Sequence, residues 1–177
     1  MPGTVAEALQ RHGISRRSFL KFCATTASLL ALPPAAIPRM ADALAGTRRP
    51  SVIWLPFQEC TGCTESFLRS HAPTVEGLIF DAISLDYHHT IMAAAGDRAE
   101  QARHNAMQRH KGEYLLLVDG SVPLGNKGYS VIAGQSNVDM LVEAASDAAA
   151  VIAIGTCAAF GGIPKANPNP TGAVAVD

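Results

Sequence analysis

A short apolar run leads directly into a C-x-x-C pair in SVIWLPFQECTGCTES, residues Ser51–Ser66. The run Ser51–Phe57 is uncharged and contains β-branched and aromatic residues, which predicts a buried strand. Cys60 and Cys63 therefore lie just past the carboxyl end of that strand. A C-x-x-C pair at such a position is compatible with a redox disulfide, half of a zinc site or a corner of an iron–sulfur cluster.

Three more apolar runs follow, and helical stretches separate them. We predict the strands within Leu78–Asp86, Tyr114–Val118 and Val151–Ile154, and the helices at Thr64–Ser70 (with Thr64 as N-cap), Ala93–His110 and Asn137–Ala148. The helix Ala93–His110 is polar and alanine-rich and is expected to face solvent, and residues 161–172, rich in Gly, Pro and Asn, are expected to form a loop. Continuous apolar strands that alternate with helices predict βαβ units around a parallel sheet, and hence an α/β fold.

The positions of the polar residues at the strand ends predict a site. Cys60 and Cys63 follow the first strand, Asp119 follows the third, and Cys157 follows the fourth. In an open α/β sheet the loops at the carboxyl ends of the strands converge around a crevice. Cysteines about a hundred residues apart in the chain can therefore meet there.

The N-terminal residues predict an export signal rather than part of the fold. Arg16 and Arg17 precede a short apolar stretch, and a small-x-small sequence ends at Ala45. The paired arginines followed by SFLK are typical of a twin-arginine signal, which directs the export of folded proteins. We expect residues 1–45 to be the signal, cleavage to occur after Ala45, and residues 46–177 to form the exported domain.

Composition narrows the classes of function. The chain has 177 residues, 48% of them hydrophobic, and a net charge of −1, which fits one globular domain with an apolar core. It is not basic, so no nucleic-acid partner is implied.

The cysteine count favours a metal centre over a disulfide framework. Cys23 lies in the predicted signal, so Cys60, Cys63 and Cys157 remain, and an odd number leaves one thiol without a disulfide partner. Zinc would favour a second C-x-x-C or a nearby His pair. The adjacent His88 and His89 are expected to be a solvated loop pair instead, because neighbouring side chains on a strand point in opposite directions. Three cysteines suit an iron–sulfur cluster, which usually has four thiolate ligands.

Five segments, in order, resemble the small subunit of periplasmic-facing uptake [NiFe] hydrogenases. They are SRRSFLKF (15–22), ECTGCTESFLRS (59–70), ISLDYHHTIMAAAG (83–96), VDGSVPLG (118–125) and GTCAAFGGIPKANPNPTGAVAV (155–176). The resemblance implies a flavodoxin-like, doubly wound domain that holds the proximal [4Fe–4S] cluster. It also implies that this subunit conducts electrons, while a nickel–iron site in the large subunit interconverts H₂ with protons and electrons.

The resemblance assigns residues to this cluster. It implies that Cys60, Cys63 and Cys157 are ligands, and that Asp119 lies where the family usually has an acid, commonly Glu, beside the cluster. Glu59, Thr64, Gly62 and Gly162 are expected around the ligands. The family's fourth ligand comes from a later loop. We therefore expect the chain to be an N-terminal fragment, with that ligand beyond residue 177 and the domain for the medial and distal clusters absent.

The resemblance also implies partners and a response to oxygen. The expected partners are the hydrogenase large subunit, the twin-arginine (Tat) translocase, and a membrane cytochrome b with quinone, on the outer face of the cytoplasmic membrane. Oxygen-tolerant members carry two extra cysteines, and the matching positions here are Gly62 and Gly162. A standard cubane and ordinary oxygen sensitivity are therefore expected.

Three alternatives remain open from the sequence. A cluster-bearing subunit of complex I-type enzymes would have adjacent cysteines at the first motif and no export signal. An exported thiol–disulfide oxidoreductase would use Cys60 and Cys63 and leave Cys157 without a role. A non-catalytic metal-binding or scaffold domain is the third.

Overall fold

The computed structural model describes residues 14–29, 32–46 and 49–176. The chain divides into two units, Met1–Pro50 with Glu76–Ile83, and Ser51–Val75 with Ser84–Asp177. The second unit contains the first predicted strand, β1 (Ser51–Pro56), which is buried along its whole length as its apolar composition predicts.

Among its described residues, the first unit contains the helices α1 (Arg16–Leu29) and α2 (Ala36–Gly46) and a π-helical turn, Leu78–Ala82. Arg16 and Arg17 are exposed at the start of α1, and the predicted cleavage position after Ala45 falls at the end of α2. Residues 1–13 and 30–31 of the predicted signal lie outside the described residues. Within the described ranges, no helix has both the length and the apolarity required to cross a membrane.

A four-stranded parallel sheet forms the centre of the second unit. Its strands are β1, β2 (Ser84–His88), β3 (Leu115–Asp119) and β7 (Ala150–Ile154), in the order β2-β1-β3-β7. Counted within this sheet, the order is 2-1-3-4, which is that of the first four strands of a flavodoxin-type sheet. The expected parallel α/β architecture is therefore confirmed. In register, Pro56 lies level with Asp119, and Asp119 with Ile154.

Helices and short strand pairs complete this unit. The helices are α3 (Gly62–Leu68), α5 (Asp97–Arg109), α6 (Asn137–Ser146), α7 (Gly155–Phe160) and α8 (Gly162–Lys165), with a 3₁₀ turn at Lys127–Tyr129. The strand pairs are β4 (Val122–Pro123) with β8 (Ala173–Val174) and β5 (Val131–Ile132) with β6 (Gln135–Ser136). The short helix α4 (Val75–Gly77) begins in this unit and continues in the first. The core contains Ile53, Leu55, Leu116, Val118 and Met140, all fully buried. These residues fix the sheet and thereby the loops at its carboxyl edge.

Two element predictions are wrong in detail. The strand predicted within Leu78–Asp86 begins only at Ser84, because Leu78–Ala82 form a π-helical turn. The apolar residues of Leu78–Ala82 fit a helical turn as well as a strand, and periodicity alone does not distinguish the two in so short a run. Thr64 does not cap α3, since the helix begins at Gly62 after Thr61 and Thr64 is buried inside it.

Two further segments differ from the sequence-based expectation. Helix α5 does not simply face solvent, because Ala99, Arg103, Ala106 and Met107 are buried along one side. The segment 161–172 is not entirely loop, because it contains the helical turn α8. In both segments, contacts with other parts of the fold determine the structure, and amino-acid composition alone does not predict it.

Arg103 ties three elements together from within the protein. Its side chain is only 1% exposed, and its guanidinium donates to Glu100 at 2.9 Å, to Glu143 at 3.0 Å and to Gln135 at 2.9 Å. These contacts join α5 to α6 and to β6. A buried charge is tolerated only when it is paired and hydrogen-bonded, and Arg103 meets that condition.

We expect Arg103→Ala to lower the free energy of unfolding by about 3 kcal/mol, because it leaves the carboxylates of Glu100 and Glu143 without their cation. Lys127→Ala is the control, since it breaks an exposed pair with Asp139 and is expected to cost less than about 1 kcal/mol. Chemical denaturation of both variants measures the difference. Equal losses would contradict the buried network as a source of stability.

Candidate metal centre

The segments that follow β1 and β7 meet above the end of β3. Cys63 lies on α3, after β1, and Cys157 lies on α7, after β7. The Cys63 sulfur packs against Gly155, so close that a side-chain carbon added to Gly155 would lie less than 3.0 Å from it. Asp119, at the end of the strand between them, approaches the same thiol. The predicted convergence of these residues at one sheet edge is thus present in the fold.

Each of the three thiols lies against a glycine. A Cβ at Gly62 would lie 3.1 Å from the Cys60 sulfur, and one at Gly162 would lie 2.5 Å from the Cys157 sulfur. Gly155 lies against the Cys63 sulfur in the same way. Both Gly155 and Gly162 have positive φ, at +75° and +53°. Glycine permits both the backbone conformation and the close approach. The arrangement leaves the backbone near the sulfurs free of side chains, as a bulky inorganic group would need.

Asp119 places a carboxylate at the floor of this site. The residue is fully buried, and neither of its carboxylate oxygens has a partner in hydrogen-bond geometry, although the Cys63 thiol and the Gly120 amide lie nearby. Burial raises the pKa of its carboxyl group. A buried carboxyl group without partners is costly unless it is neutral or close to a cation.

Burial and neighbouring acids raise the pKa of the Cys63 thiol to about 11, with Asp119 the main charged neighbour and Cys60 and Cys157 adding to the effect. A nucleophilic cysteine of a thiol–disulfide enzyme requires the opposite shift, which nearby cations or a helix N-terminus supply. Bound iron would provide the missing positive charge and hold the thiol as thiolate. The raised pKa of Cys63 therefore does not fit an activated redox thiol.

Glu59 adds a second acid at the edge of the site. Its Oε1 accepts a hydrogen bond from the Thr61 hydroxyl at 3.2 Å, whereas its Oε2 is buried without a partner. Burial raises the pKa of its carboxyl group, and the charge of Asp119 raises it further. Thr61 itself has a left-handed conformation, with φ of 64°, at the turn that carries the C-x-x-C.

The described cysteines are free, and none of them belongs to a group of side chains that could hold a single metal ion. A cubane places its cysteine ligands on separate irons, and its thiolates therefore lie farther apart than those around one zinc. Cys60, Cys63 and Cys157 could hold such a cluster, with a fourth ligand from elsewhere.

The prediction for His88 is wrong, since it is not part of a solvated loop. It ends β2, is 1% exposed, and bonds through Nε2 to the Thr64 hydroxyl at 3.2 Å. Its ring packs on Trp54, with centroids 4.8 Å apart. His89, beside it, is exposed. Burial of one histidine of the pair depends on contacts with β1 and α3, which no local pattern encodes.

The buried ring makes the fold sensitive to acid. Burial lowers the pKa of His88 from 6.5 to about 4. A base whose pKa is lowered on folding binds its proton better in the unfolded chain, so stability is complete above pH 6.5 and is lost as the pH falls toward 4. We expect about 3 kcal/mol to be lost across that window, and His88→Gln to remove most of this loss. Urea denaturation of both proteins between pH 7 and 4 tests this prediction. An equal loss of unfolding free energy at low pH in the wild type and in His88→Gln would contradict it.

Exposed apolar side chains border the site. Phe160 and Ile163, three and six residues after Cys157 in the chain, are 73% and 84% exposed. Ile163 also lines a cleft of about 460 Å³ whose wall includes Glu59 and the prolines Pro164, Pro168 and Pro170. Large apolar side chains with this exposure are typical of a surface that another protein covers.

The comparison with known families decides where the chain belongs. Residues 60–177 match the family described as NADH ubiquinone oxidoreductase, 20 Kd subunit. The chain belongs to this family. The match begins at Cys60 and includes all three cysteines of the site.

Individual relatives place it closer to hydrogenases. The chain is 49% identical over 169 residues to the Hydrogenase-2 small chain of Escherichia coli, covering 95% of this chain and 45% of that one. It is 50% identical over 168 residues to the Periplasmic [NiFe] hydrogenase small subunit 1 of Nitratidesulfovibrio vulgaris, covering 94% and 53%. The resemblance to hydrogenase small subunits is confirmed, and neither the complex I nor the thiol–disulfide alternative gains support. The chain spans about half the length of these relatives.

Solved structures of hydrogenases also match the fold of this chain. The recombinant [NiFeSe] hydrogenase from Desulfovibrio vulgaris Hildenborough matches with a TM-score of 0.70 and 41% identity, covering 73% of this chain and 48% of that chain. The hydrogenase of Desulfomicrobium baculatum, also of the [NiFeSe] type, matches with a TM-score of 0.71 and 32% identity, covering 73% and 50%. The parallel sheet and its helices are thus the fold of hydrogenase subunits.

Proposed function

We propose that this chain is the electron-transfer small subunit of a [NiFe] hydrogenase, and that it holds a proximal [4Fe–4S] cluster through Cys60, Cys63 and Cys157. The observation that carries the proposal is the meeting of three free thiols, each against a glycine, at one sheet edge of a hydrogenase homologue. The fourth ligand would come from chain beyond residue 177.

When bound, such a cluster accepts and passes on single electrons. The residues around it hold it and set its surroundings. Gly62, Gly155 and Gly162 leave space at the sulfurs, and Cys63 gives up its proton when iron binds. Asp119 contributes a buried carboxyl beside Cys63, and charge and hydrogen bonding near the sulfurs influence the reduction potential of a cluster.

The large subunit is the proposed partner, and it would carry the nickel–iron site where H₂ ⇌ 2H⁺ + 2e⁻ takes place. Its docking surface would include Phe160 and Ile163, which follow Cys157 by three and six residues and whose exposure is otherwise unfavourable. Docking there would cover the cysteine loops and bring the cluster near the nickel–iron site. Medial and distal clusters in the rest of the subunit, and then a membrane cytochrome b and quinone, would receive the electrons.

Export by the Tat pathway is part of the proposal. The exposed pair Arg16-Arg17 at the start of α1 would be read by the translocase, and cleavage after Ala45 would release the subunit on the periplasmic side. A route for folded proteins suits a subunit whose cluster is inserted before export. The processed N-terminus of the purified periplasmic subunit, read by mass spectrometry, tests the cleavage position.

Anaerobic co-expression of the full-length subunit with its large subunit tests the function. The purified complex should reduce a viologen dye with H₂, be brown, and contain iron and acid-labile sulfide. A complex that is colourless and free of iron, with a Cys60–Cys63 disulfide that exchanges with glutathione, would overturn the proposal.

The glycines at 62 and 162 lead to a specific expectation about oxygen. Because they stand where oxygen-tolerant relatives have extra cysteines, we expect the complex to lose H₂ oxidation in air and recover it only after reductive activation. Dye reduction measured under H₂ with and without sustained air tests this. Continued turnover in air would contradict the standard cubane.

A further inference from the structure

We propose that His88 is a positioning residue for Cys63, acting through the hydroxyl of Thr64. The inference rests on the proposed function, in that Cys63 is taken as a cluster ligand. His88 touches neither the thiol nor any other residue of the ligand set in a hydrogen bond, and its effect passes through the helix that carries Cys63.

The hydrogen bonds of the ring fix its orientation and its tautomer. The backbone amide of Thr90 donates to Nδ1 at 3.3 Å, so Nδ1 is an acceptor. A neutral imidazole then carries its proton on Nε2, which donates to the Thr64 hydroxyl at 3.2 Å. Both Thr64 and His88 are 1% exposed, so water does not compete for this bond.

Helix α3 needs outside contacts to hold its position. It has seven residues, and Thr61 at its start provides no side-chain cap. A helix this short has little stability of its own in water. Its contacts with the sheet include the Thr64–His88 bond and the packing of Phe67 on Trp54, with ring centroids 5.3 Å apart. Trp54 also packs on the ring of His88, so the two contacts form one support.

The contacts of Thr64 and Phe67 support α3 close to Cys63. Thr64 is the next residue in the chain, and its buried side chain faces the sheet through His88. Cys63 directs its sulfur to Gly155, the first residue of α7. Loss of the Thr64 bond would let α3 rotate or shift. Because the Cys63 sulfur is packed tightly against Gly155, even a small shift of α3 would change the position of the sulfur relative to Cys157.

Two matched pairs of substitutions in the full-length complex test the role. Thr64→Val keeps the shape and removes the hydroxyl, whereas Thr64→Ser keeps the hydroxyl. His88→Phe keeps a ring and removes the donor, whereas His88→Gln keeps an N–H donor near the position of Nε2. The readouts are the low-temperature EPR spectrum of the reduced complex and the rate at which a chelator removes iron.

We expect Thr64→Val and His88→Phe to alter the EPR spectrum and to lose iron about tenfold faster than the wild type, as substitutions around metal ligands generally do. Thr64→Ser and His88→Gln should stay close to the wild type. Wild-type behaviour of Thr64→Val and His88→Phe would overturn the inference. Equal losses in all four variants would also overturn it, since packing alone would then explain them. A wild-type complex without a cluster signal would overturn the proposed function instead.

Discussion

Replacing Cys157 by alanine in the full-length subunit, co-expressed with its large subunit, should remove the proximal cluster as completely as replacing Cys63. Each substitution takes one of the three thiols that meet at the carboxyl edge of the sheet. A cubane that loses one thiolate has an open iron site, and we expect a loss of about four irons per complex. H₂-dependent dye reduction should fall with it, because electrons from the large subunit lose their first acceptor.

Cys157 is the decisive position because the competing interpretations differ there. A thiol–disulfide enzyme would use Cys60 and Cys63, and Cys157→Ala would leave its thiol exchange intact. Cys23→Ala is the control, since that cysteine lies on α1 in the other unit and inside the predicted signal. Iron and sulfide analysis of the purified complexes measures the outcome. A Cys157→Ala complex with its full iron content would contradict the assigned ligand set.

Local pattern was sufficient to predict the strands that hold this site. The runs at Ser51–Phe57, Tyr114–Val118 and Val151–Ile154 are apolar and uncharged, which is the pattern expected of parallel strands. The first of them is buried along β1, whereas β7 is exposed, with Val151 and Ile152 44% and 43% exposed. Their ends place Cys60, Asp119 and Cys157 at one edge in any parallel arrangement. The order β1-β3-β7, which puts Asp119 between the two cysteine loops, is set by packing and could only be assumed from sequence.

Side chains whose burial depends on distant partners were not predictable. His88 and His89 look alike in the sequence, yet only His88 meets Trp54 and Thr64. Arg103 is one of several charges on a polar helix, and its burial requires Glu143 on α6. The sequence did contain one indication of the site, because glycines recur close to the cysteines, at Gly62, Gly155 and Gly162.

Gly155→Ala should be nearly as damaging as loss of a cysteine, because the added methyl group would overlap the Cys63 sulfur. The backbone is not the only source of the effect. At φ of +75° an alanine is strained by roughly 1–2 kcal/mol, and the clash comes in addition. We expect the variant complex to retain less than about a tenth of the proximal cluster, with the sulfur displaced from its place beside the start of α7.

Gly112→Ala separates strain from clash. Gly112 has nearly the same φ, +76°, but an added carbon there meets nothing within 4 Å. Both variants therefore carry the same backbone strain, and only Gly155→Ala displaces a thiol. Iron content and the EPR spectrum of the two complexes should differ sharply, while their thermal stabilities without the cluster differ less. If Gly155→Ala keeps as much iron as Gly112→Ala, Cys63 can move without consequence, and its close contact with Gly155 is then incidental to metal binding.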